Sequence, residues 1–393
     1  MAGPQDYVVL KLSAVAARAE VTVGTDVIGG TPLATDWIGG EITVRMPAQT
    51  VDDPTNTGSL DNAPPLITGI KPEITIRIPL RGTGVAGAPP EWADLMEACR
   101  FSELVKAAAT DVSPAAATAG TTRTFTGPAA FATTDQAYRG MPVSLSGNPA
   151  TPIIVPISDY TAGRVAKLPY EFAAALSTAT MVQVLKNARY SPISDLGLVK
   201  PVTIYVYRNG LRHRFGGCIG TASLEMTSGQ PAFITFTMRG SLLGAYEVAA
   251  MPTGWNVARP QAPIWLNGVS RLDGQLCNCA RFTWDLGNAM VDPENPEAPQ
   301  GFDPPLISEA TQRITIDPFT NSTRSPTRFT KYRAGTSLDF AAVLGTVPGN
   351  RIAVVMPSGA IIGMDESNRN TLGVDQIQLA PNVPDAGVFV SVF

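Results

Sequence analysis

Glu41-Ile42-Thr43-Val44-Arg45-Met46, Glu73-Ile74-Thr75-Ile76-Arg77-Ile78 and Arg313-Ile314-Thr315-Ile316-Asp317 are the stretches that decide the fold. In each, apolar and polar residues alternate one for one. A period of two puts one set on each face of an extended chain, so each reads as a half-buried strand. The same grammar continues in Val202-Thr203-Ile204-Tyr205-Val206-Tyr207, in residues 223–226 and 234–239, and in Arg281-Phe282-Thr283-Trp284-Asp285-Leu286. Further strands are expected at 7–12, 352–356, 361–364, 374–379 and 388–392. Asn209-Gly210, between two alternating runs, is a strong hairpin signal, because both residues tolerate the positive φ of a tight two-residue turn.

Between strands the chain is punctuated by 36 Gly and 34 Pro, as in an all-β protein of short strands. Two helices interrupt the pattern. Behind Pro90, a proline at a first turn, Trp92, Leu95, Met96 and Cys99 form one apolar stripe, expected to plug an open end or face of a barrel. A second helix is expected from Pro326, with Phe329 and Tyr332 three apart.

Glu73-Ile74-Thr75-Ile76 beside Arg313-Ile314-Thr315-Ile316 suggests a duplication. In both halves an alternating strand leads through a loop to a second one, then to a proline-started helix and a group of strands. The chain of 393 residues has room for two such units. The expected division is 1–125 together with 196–258, then 259–393, with 126–195 inserted in the first unit as a small outer subdomain. The fold class is mainly β: two tandem β-barrel or β-sandwich domains, each flanked by a short helix. Residues 47–65 form a long polar stretch without periodicity, read as an arm to another subunit through Asp52, Asp53, Asn56 and Asn62.

Charged residues make up 16% of the chain, below the roughly 25% usual for soluble domains. The net charge is −4 and no lysine- or arginine-rich run appears, which argues against ordinary phosphate-directed nucleic-acid binding. The N-terminal residues carry no secretory pattern, and no apolar run approaches the roughly 18 residues of a membrane span. A soluble protein made in a cytoplasm, with no membrane partner, is expected.

Chemistry-bearing groups are sparse. His213 is the only histidine and lies between two arginines beside the hairpin, which leaves little room for proton transfer. Cys277-Asn278-Cys279 has one intervening residue where zinc knuckles and redox motifs have two, and Cys99 and Cys218 stand alone, so ordinary reduced thiols are expected. Asp52-Asp53 and Asp365-Glu366 are expected to be loop acids, and the prolines of Asp292-Pro293-Glu294-Asn295-Pro296-Glu297 disrupt calcium-loop spacing. No catalytic, cofactor or metal site is expected. The polar strand faces are more informative: Thr43, Arg45, Thr75, Arg77, Ser223, Glu225, Thr235, Thr237, Arg239, Arg281, Thr283, Asp285, Thr315, Asp317, Gln376 and Gln378. One wet face per sheet is normal for antiparallel β structure. Small, hydrophilic and mixed in charge, these residues would also suit the lining of a wide aqueous channel.

Several segments resemble a known family. Thr31-Pro32 with Asp36, the alternating Ile74-Thr75-Ile76-Arg77 and Pro90-Glu91-Trp92-Ala93-Asp94-Leu95-Met96-Glu97-Ala98-Cys99 are similar to the first domain of phage tail tube proteins. So are Val202 to Gly210 as a hairpin strand, Gly220-Thr221-Ala222-Ser223-Leu224-Glu225 with Gly229-Gln230-Pro231, and Phe236-Thr237-Met238-Arg239-Gly240. Trp284-Asp285-Leu286-Gly287-Asn288 and Gly345-Thr346-Val347-Pro348-Gly349-Asn350 resemble turns of its second domain. The resemblance spans most of 1–105 and 200–393. It implies a non-enzymatic virion tail protein, assembled in the host cytoplasm into stacked rings through which DNA is ejected. It implies inner sheets joined between neighbours, and for a two-domain chain a trimeric ring with pseudo-sixfold symmetry. The partners it implies are the chain itself, a tape measure protein and then DNA in the lumen, and distal tail and terminator proteins at the tube ends. The alternatives are a related distal tail or terminator ring, which would not stack repeatedly, and a β-sandwich adhesin or carbohydrate-binding protein, which would want a signal peptide and clustered exposed aromatics.

Overall fold

A computed structural model describes residues 10–55, 58, 61, 64–147, 152–298 and 300–393. The first unit runs β1 (Ser13–Ala19), β2 (Trp37–Ile38), β3 (Glu41–Arg45), β4 (Ala48–Val51), β5 (Leu66–Ile70), β6 (Glu73–Pro79), α1 (Ala93–Ala98) and β7 (Phe101–Lys106). Eight short strands follow: β8 (Ala115–Ala116), β9 (Ala119–Gly120), β10 (Thr124–Thr126), β11 (Pro142–Gly147), β12 (Ile153–Pro156), β13 (Asp159–Tyr160), β14 (Val165–Lys167) and β15 (Thr180–Val184). The chain then returns through β16 (Asn187–Pro192), β17 (Val202–Arg208), β18 (Leu211–Thr227), β19 (Phe233–Leu242) and β20 (Glu247–Val248). The second unit comprises β21 (Val269–Leu272), β22 (Gln275–Leu276), β23 (Cys279–Asp285), β24 (Asn288–Val291), β25 (Leu306–Ala310), β26 (Arg313–Pro318), α2 (Arg324–Ala334), β27 (Leu338–Leu344), β28 (Ile352–Arg369), β29 (Leu372–Pro381) and β30 (Phe389–Val392).

The two units repeat one another strand for strand. β1, β2, β3, the β4–β5 hairpin and β6 correspond to β21, β22, β23, the β24–β25 hairpin and β26; β17 to β20 correspond to β27 to β30. From the first alternating strand to the second the repeat keeps a constant separation of 240 residues: Thr43 opposite Thr75 becomes Thr283 opposite Thr315, and Val51 opposite Leu66 becomes Val291 opposite Leu306.

Each unit is a two-layer sandwich, and among the described residues no closed barrel forms. The long strands β18 and β28 belong to both layers. Register shifts at Gly216/Ile219 and Ile361/Gly363 bend them from one sheet into the other, as bulges do. In one layer β2, β1, β17, β18 and β20 pair in order. Its counterpart, β22, β21, β27, β28 and β30, continues through β16 to β7, so strands of the first unit complete a sheet of the second. The other layer is a single strip of eight strands, β3–β6–β19–β18–β23–β26–β29–β28. One apolar core runs between the layers of both units. Ile74, Ile76 and Ile78 are wholly buried in it, each worth about 1.5–3 kcal/mol relative to exposure.

α1 is short because Arg100, at φ +71°, turns the chain directly into β7. The expected stripe of Trp92, Leu95, Met96 and Cys99 is buried, and Ala93, Ala98 and Glu97 are buried with it. The helix packs on β1, β7, β17 and β18 at the side of a sandwich and plugs no barrel. The indole of Trp92 donates to the Arg81 carbonyl at 3.1 Å and stands 5.1 Å from the Tyr190 ring. α2 begins at Arg324, two residues before Pro326, and ends on Gly335 in the left-handed region, with Thr336 N–H returning to the Lys331 carbonyl.

The eight short strands form two four-stranded sheets around their own core, built on Phe125, Phe131, Tyr138 and Tyr160 in edge-to-face contact. Strand pairing in these small sheets runs from Ala115 to Val184, whereas β16, within the expected 126–195, pairs with β7 and β30 in the large sheet. The subdomain covers the outer side of β27 and β28. Val343 and Ala353 meet Ile154 and Leu185 there. This is why β27 is buried at every residue: both of its faces are covered. Residues 20–36 and 246–258 cover β1 and β17 in the same way, through Ile28 and Met251 against Trp37, Tyr205 and Tyr207.

Two expectations shift. The first strand is Ser13–Ala19 and not 7–12; residues 10–12 form a turn, and 7–9 lie outside the described residues. The stretch 47–65 is not all loop, because β4 pairs with β5 into a projecting hairpin. The Asn-Gly turn is as expected, with Asn209 at φ 36°, Gly210 at φ 98°, and Arg208 directly opposite Leu211.

Candidate assembly surface

The eight-stranded strip has one face in the core and one in solvent. The solvent face carries six carboxylates, of Glu41, Glu73, Glu225, Asp285, Asp317 and Asp365, and six arginines, at 45, 77, 239, 281, 313 and 369, with threonines and glutamines between them. A shallow groove across the middle gathers Arg77, Ser223, Glu225, Thr235, Arg281, Thr283, Asp285, Thr315 and Gln378 from both units. Thr43, Thr75, Thr237 and Gln376 lie on the same face.

Most of the arginines are matched. Arg281 meets Glu225 at 2.8 Å, both about half exposed. Arg77 lies 3.8 Å over the Phe233 ring and 3.9 Å from Glu41. Arg239 is 4.0 Å from Asp292, and Arg369 is paired with Asp317. Arg45 and Arg313 make no ion pair among the described residues. Pairs this exposed stabilise little, since water screens them and long side chains lose freedom; their effect is to leave neither sign of charge dominant. Asp317 departs from the expected lining role. It is 8% exposed, and its carboxylate accepts the backbone N–H groups of Ala280 and Arg281 at the bulge between β23 and β26. Strand parity places it on the wet face; the bulge turns it to satisfying backbone donors.

The two units meet in this sheet. β18 and β23 pair antiparallel, with Ser223 opposite Asp285, Leu224 opposite Trp284, Glu225 opposite Thr283, Met226 opposite Phe282 and Thr227 opposite Arg281. Leu224, Met226, Phe282 and Trp284 point into the core and are buried. The strip ends at β3 on one side and at the 361–369 half of β28 on the other. Among the described residues each is bonded to a single neighbour, β6 and β29.

The two hairpins project from the sheet in like fashion. Val51 and Leu66, 55% and 58% exposed, form a cross-strand pair; Val291 and Leu306, 52% and 55% exposed, form the same pair in the second hairpin. The second lies across the first unit: Asn288 donates to the Cys99 and Gly220 carbonyls, and its N–H bonds to Thr221 Oγ1. Its far end reaches the base of the first hairpin, where Lys71 pairs with Asp292 at 3.2 Å and lies over the Phe302 ring. At the tip of the first hairpin, Asp53 accepts from the Thr55 N–H and hydroxyl; Asp52 is exposed, and Asn56 and Asn62 lie outside the described residues. Periodicity did not mark Val51, Leu66, Val291 or Leu306, although their repetition at constant separation is visible in the sequence.

Among the described residues no group of three or more His, Cys, Asp and Glu side chains could hold a metal ion, and no helix is long and apolar enough to cross a membrane. His213 is half-buried against Tyr246 and Phe215; burial, with Arg208 nearby, pushes its pKa down to about 4. Cys99 and Cys218 are buried thiols with raised pKa values, and the four cysteines are unbridged.

A family model described as phage tail tube protein matches residues 11–378. No curated protein matches the chain.

Proposed function

This chain belongs to the phage tail tube protein family, the non-enzymatic structural proteins that assemble with copies of themselves into the tube of the virion tail, and on that premise we propose how it builds one. Three copies form a ring with pseudo-sixfold symmetry, and rings stack into a conduit lined by the polar face of the eight-stranded strip. The observation that carries this reading is the β18–β23 join, which makes one sheet of the strips from both units. One copy cannot enclose a channel: barrels of about eight strands are filled by their own side chains. Three strips, with strands about 4.8 Å apart and tilted about 40°, close at a backbone diameter of about 48 Å.

The lining suits passage without capture. Each phosphate neutralised by a fixed cation adds salt-dependent affinity. A face with as many carboxylates as arginines, most of them matched, offers DNA no net attraction. A tape measure protein fills the lumen before DNA does, and distal tail and terminator proteins close the ends. The inserted subdomain covers the side of the sandwich away from the lining face, which supports a position on the tube's exterior. The exposed Val–Leu pairs of the hairpins make the contact between successive rings, which separates this reading from a terminal component that forms one ring only.

Negative-stain microscopy of the purified chain, with native mass spectrometry of its rings, tests the reading. Stacked rings of three chains are expected. Six chains per ring, or density for residues 115–184 inside the channel, would overturn it.

A further inference from the structure

The two free edges of the strip, β3 and the 361–369 half of β28, are the repeat equivalents of β23 and β18, which pair inside the chain. The correspondence follows from pairing alone. Thr75 and Thr315 occupy equivalent places, each flanked on one side by Thr43 or Thr283 and on the other by Thr237 or Gln378. One strand further, Thr237 faces Thr221 and Gln378 faces Gly363; two residues on, Ser223 is matched by Asp365. Each edge of the strip is thus the equivalent of a strand that is already joined inside the chain.

We propose that β28 of one copy pairs antiparallel with β3 of the next, in the register of the internal join. This places Asp365 opposite Arg45, Ser367 opposite Thr43 and Arg369 opposite Glu41. The inference rests on the tube reading and adds the register and what sets it. Two charge pairs of opposite polarity flank a neutral one, all on the lining face. A slip of one residue would set the lining face of one strand against the core face of the other. A slip of two keeps the faces but leaves both charge pairs unmatched, and directly opposed unlike charges are a known source of strand-pairing preference. Among the described residues of the single chain Asp365 and Arg45 are exposed and make no ion pair, whereas Arg369 already meets Asp317 and Glu41 lies near Arg77.

The copy-to-copy join differs from its template on the core side. Where Leu224 faces Trp284 and Met226 faces Phe282 inside the chain, Glu366 comes opposite Val44 and Asn368 opposite Ile42. The β28 edge therefore lacks the apolar side chains that Leu224 and Met226 bring to the internal join. Polar residues on a free edge also discourage indiscriminate strand addition. Register and adhesion between copies rest on charge and backbone hydrogen bonds, so ring formation is sensitive to salt.

The test uses the full chain carrying both Thr43→Cys and Ser367→Cys. Opposed residues on paired strands bring Cβ atoms to about 4.5–5.5 Å, near the range a disulfide accepts. Oxidation of assembled tubes is expected to give a covalent ladder on a non-reducing gel, and Thr43→Cys with Asp365→Cys, two residues out of step, is expected to give none. In parallel, Asp365→Arg should abolish tubes, and adding Arg45→Asp should restore them. Cross-linking in the slipped pair, or no rescue in the double variant, with the parent chain still forming tubes, would overturn the register and leave the tube reading standing. A parent chain that forms neither rings nor tubes would overturn the reading itself.

Discussion

Replacing Arg123 by alanine attacks the bond between the inserted subdomain and the second unit. Arg123 Nη2 donates to both carboxylate oxygens of Asp339 at 2.7 and 2.9 Å, and Asp339, on β27, is fully buried. The other partners of that carboxylate also come from the subdomain: Ser158 Oγ at 3.3 Å and Lys167 Nζ at 3.5 Å. Removing one member of a buried ion pair costs about 3–5 kcal/mol, because a desolvated charge is left uncompensated. Arg123 is 23% exposed and Lys167 remains in reach, so the expected cost falls to about 2–3 kcal/mol. The lost contact to Asp273 adds little, lying near the surface. Urea denaturation of the unassembled full chain measures the cost. Asp339→Asn in the alanine background should recover at least half of it, since the buried charge is then gone, giving a coupling of about 1 kcal/mol or more. An alanine cost below about 0.5 kcal/mol, or strictly additive variants, would refute the argument.

Val51→Ser with Leu66→Ser should leave the fold intact, as both side chains are exposed, but stop rings from stacking; each side chain buried between rings would contribute up to about 1.5–3 kcal/mol. Tubes of normal length by microscopy would remove the hairpins from the ring-to-ring contact. His213 yields a pH test. Its folded pKa, near 4, lies below the ordinary value of about 6.5, so between these limits the unfolded chain binds the extra proton and stability falls as pH falls. Melting temperatures of the parent and of His213→Phe should diverge in slope across that window, and parallel curves would rule the contribution out.

Legibility in the sequence followed the wetness of the strands. β3, β6, β23 and β26 have one face in water, so their alternation showed both the fold and the candidate lining. β27, Leu-Asp-Phe-Ala-Ala-Val-Leu, is covered on both faces and shows no alternation. β1 is alanine-rich for the same reason: Val15 and Ala17 face the main core and Ala14 and Ala16 a second one. The strands of the projecting hairpin stand apart from any core, so burial never imprinted a period on them. Asp317 shows the limit of parity, because one bulge gives a wet-face residue a backbone-binding task. The register at the free edges was not legible at all, since it depends on which strands pair across the repeat.

The inserted subdomain leaves the large sheet after Lys106 and returns at Asn187, and these two residues sit directly opposite each other in paired strands. Its entrance and exit are therefore neighbours, and the sheet between them is complete without it. That makes the subdomain a cassette. A foreign domain with closely spaced termini can take its place if the cover it gives β27 is made good: Asp339 neutralised, and the apolar side chain of Val343 made polar. Copied at every repeat, such a graft would decorate the filament at a density fixed by the assembly's own lattice.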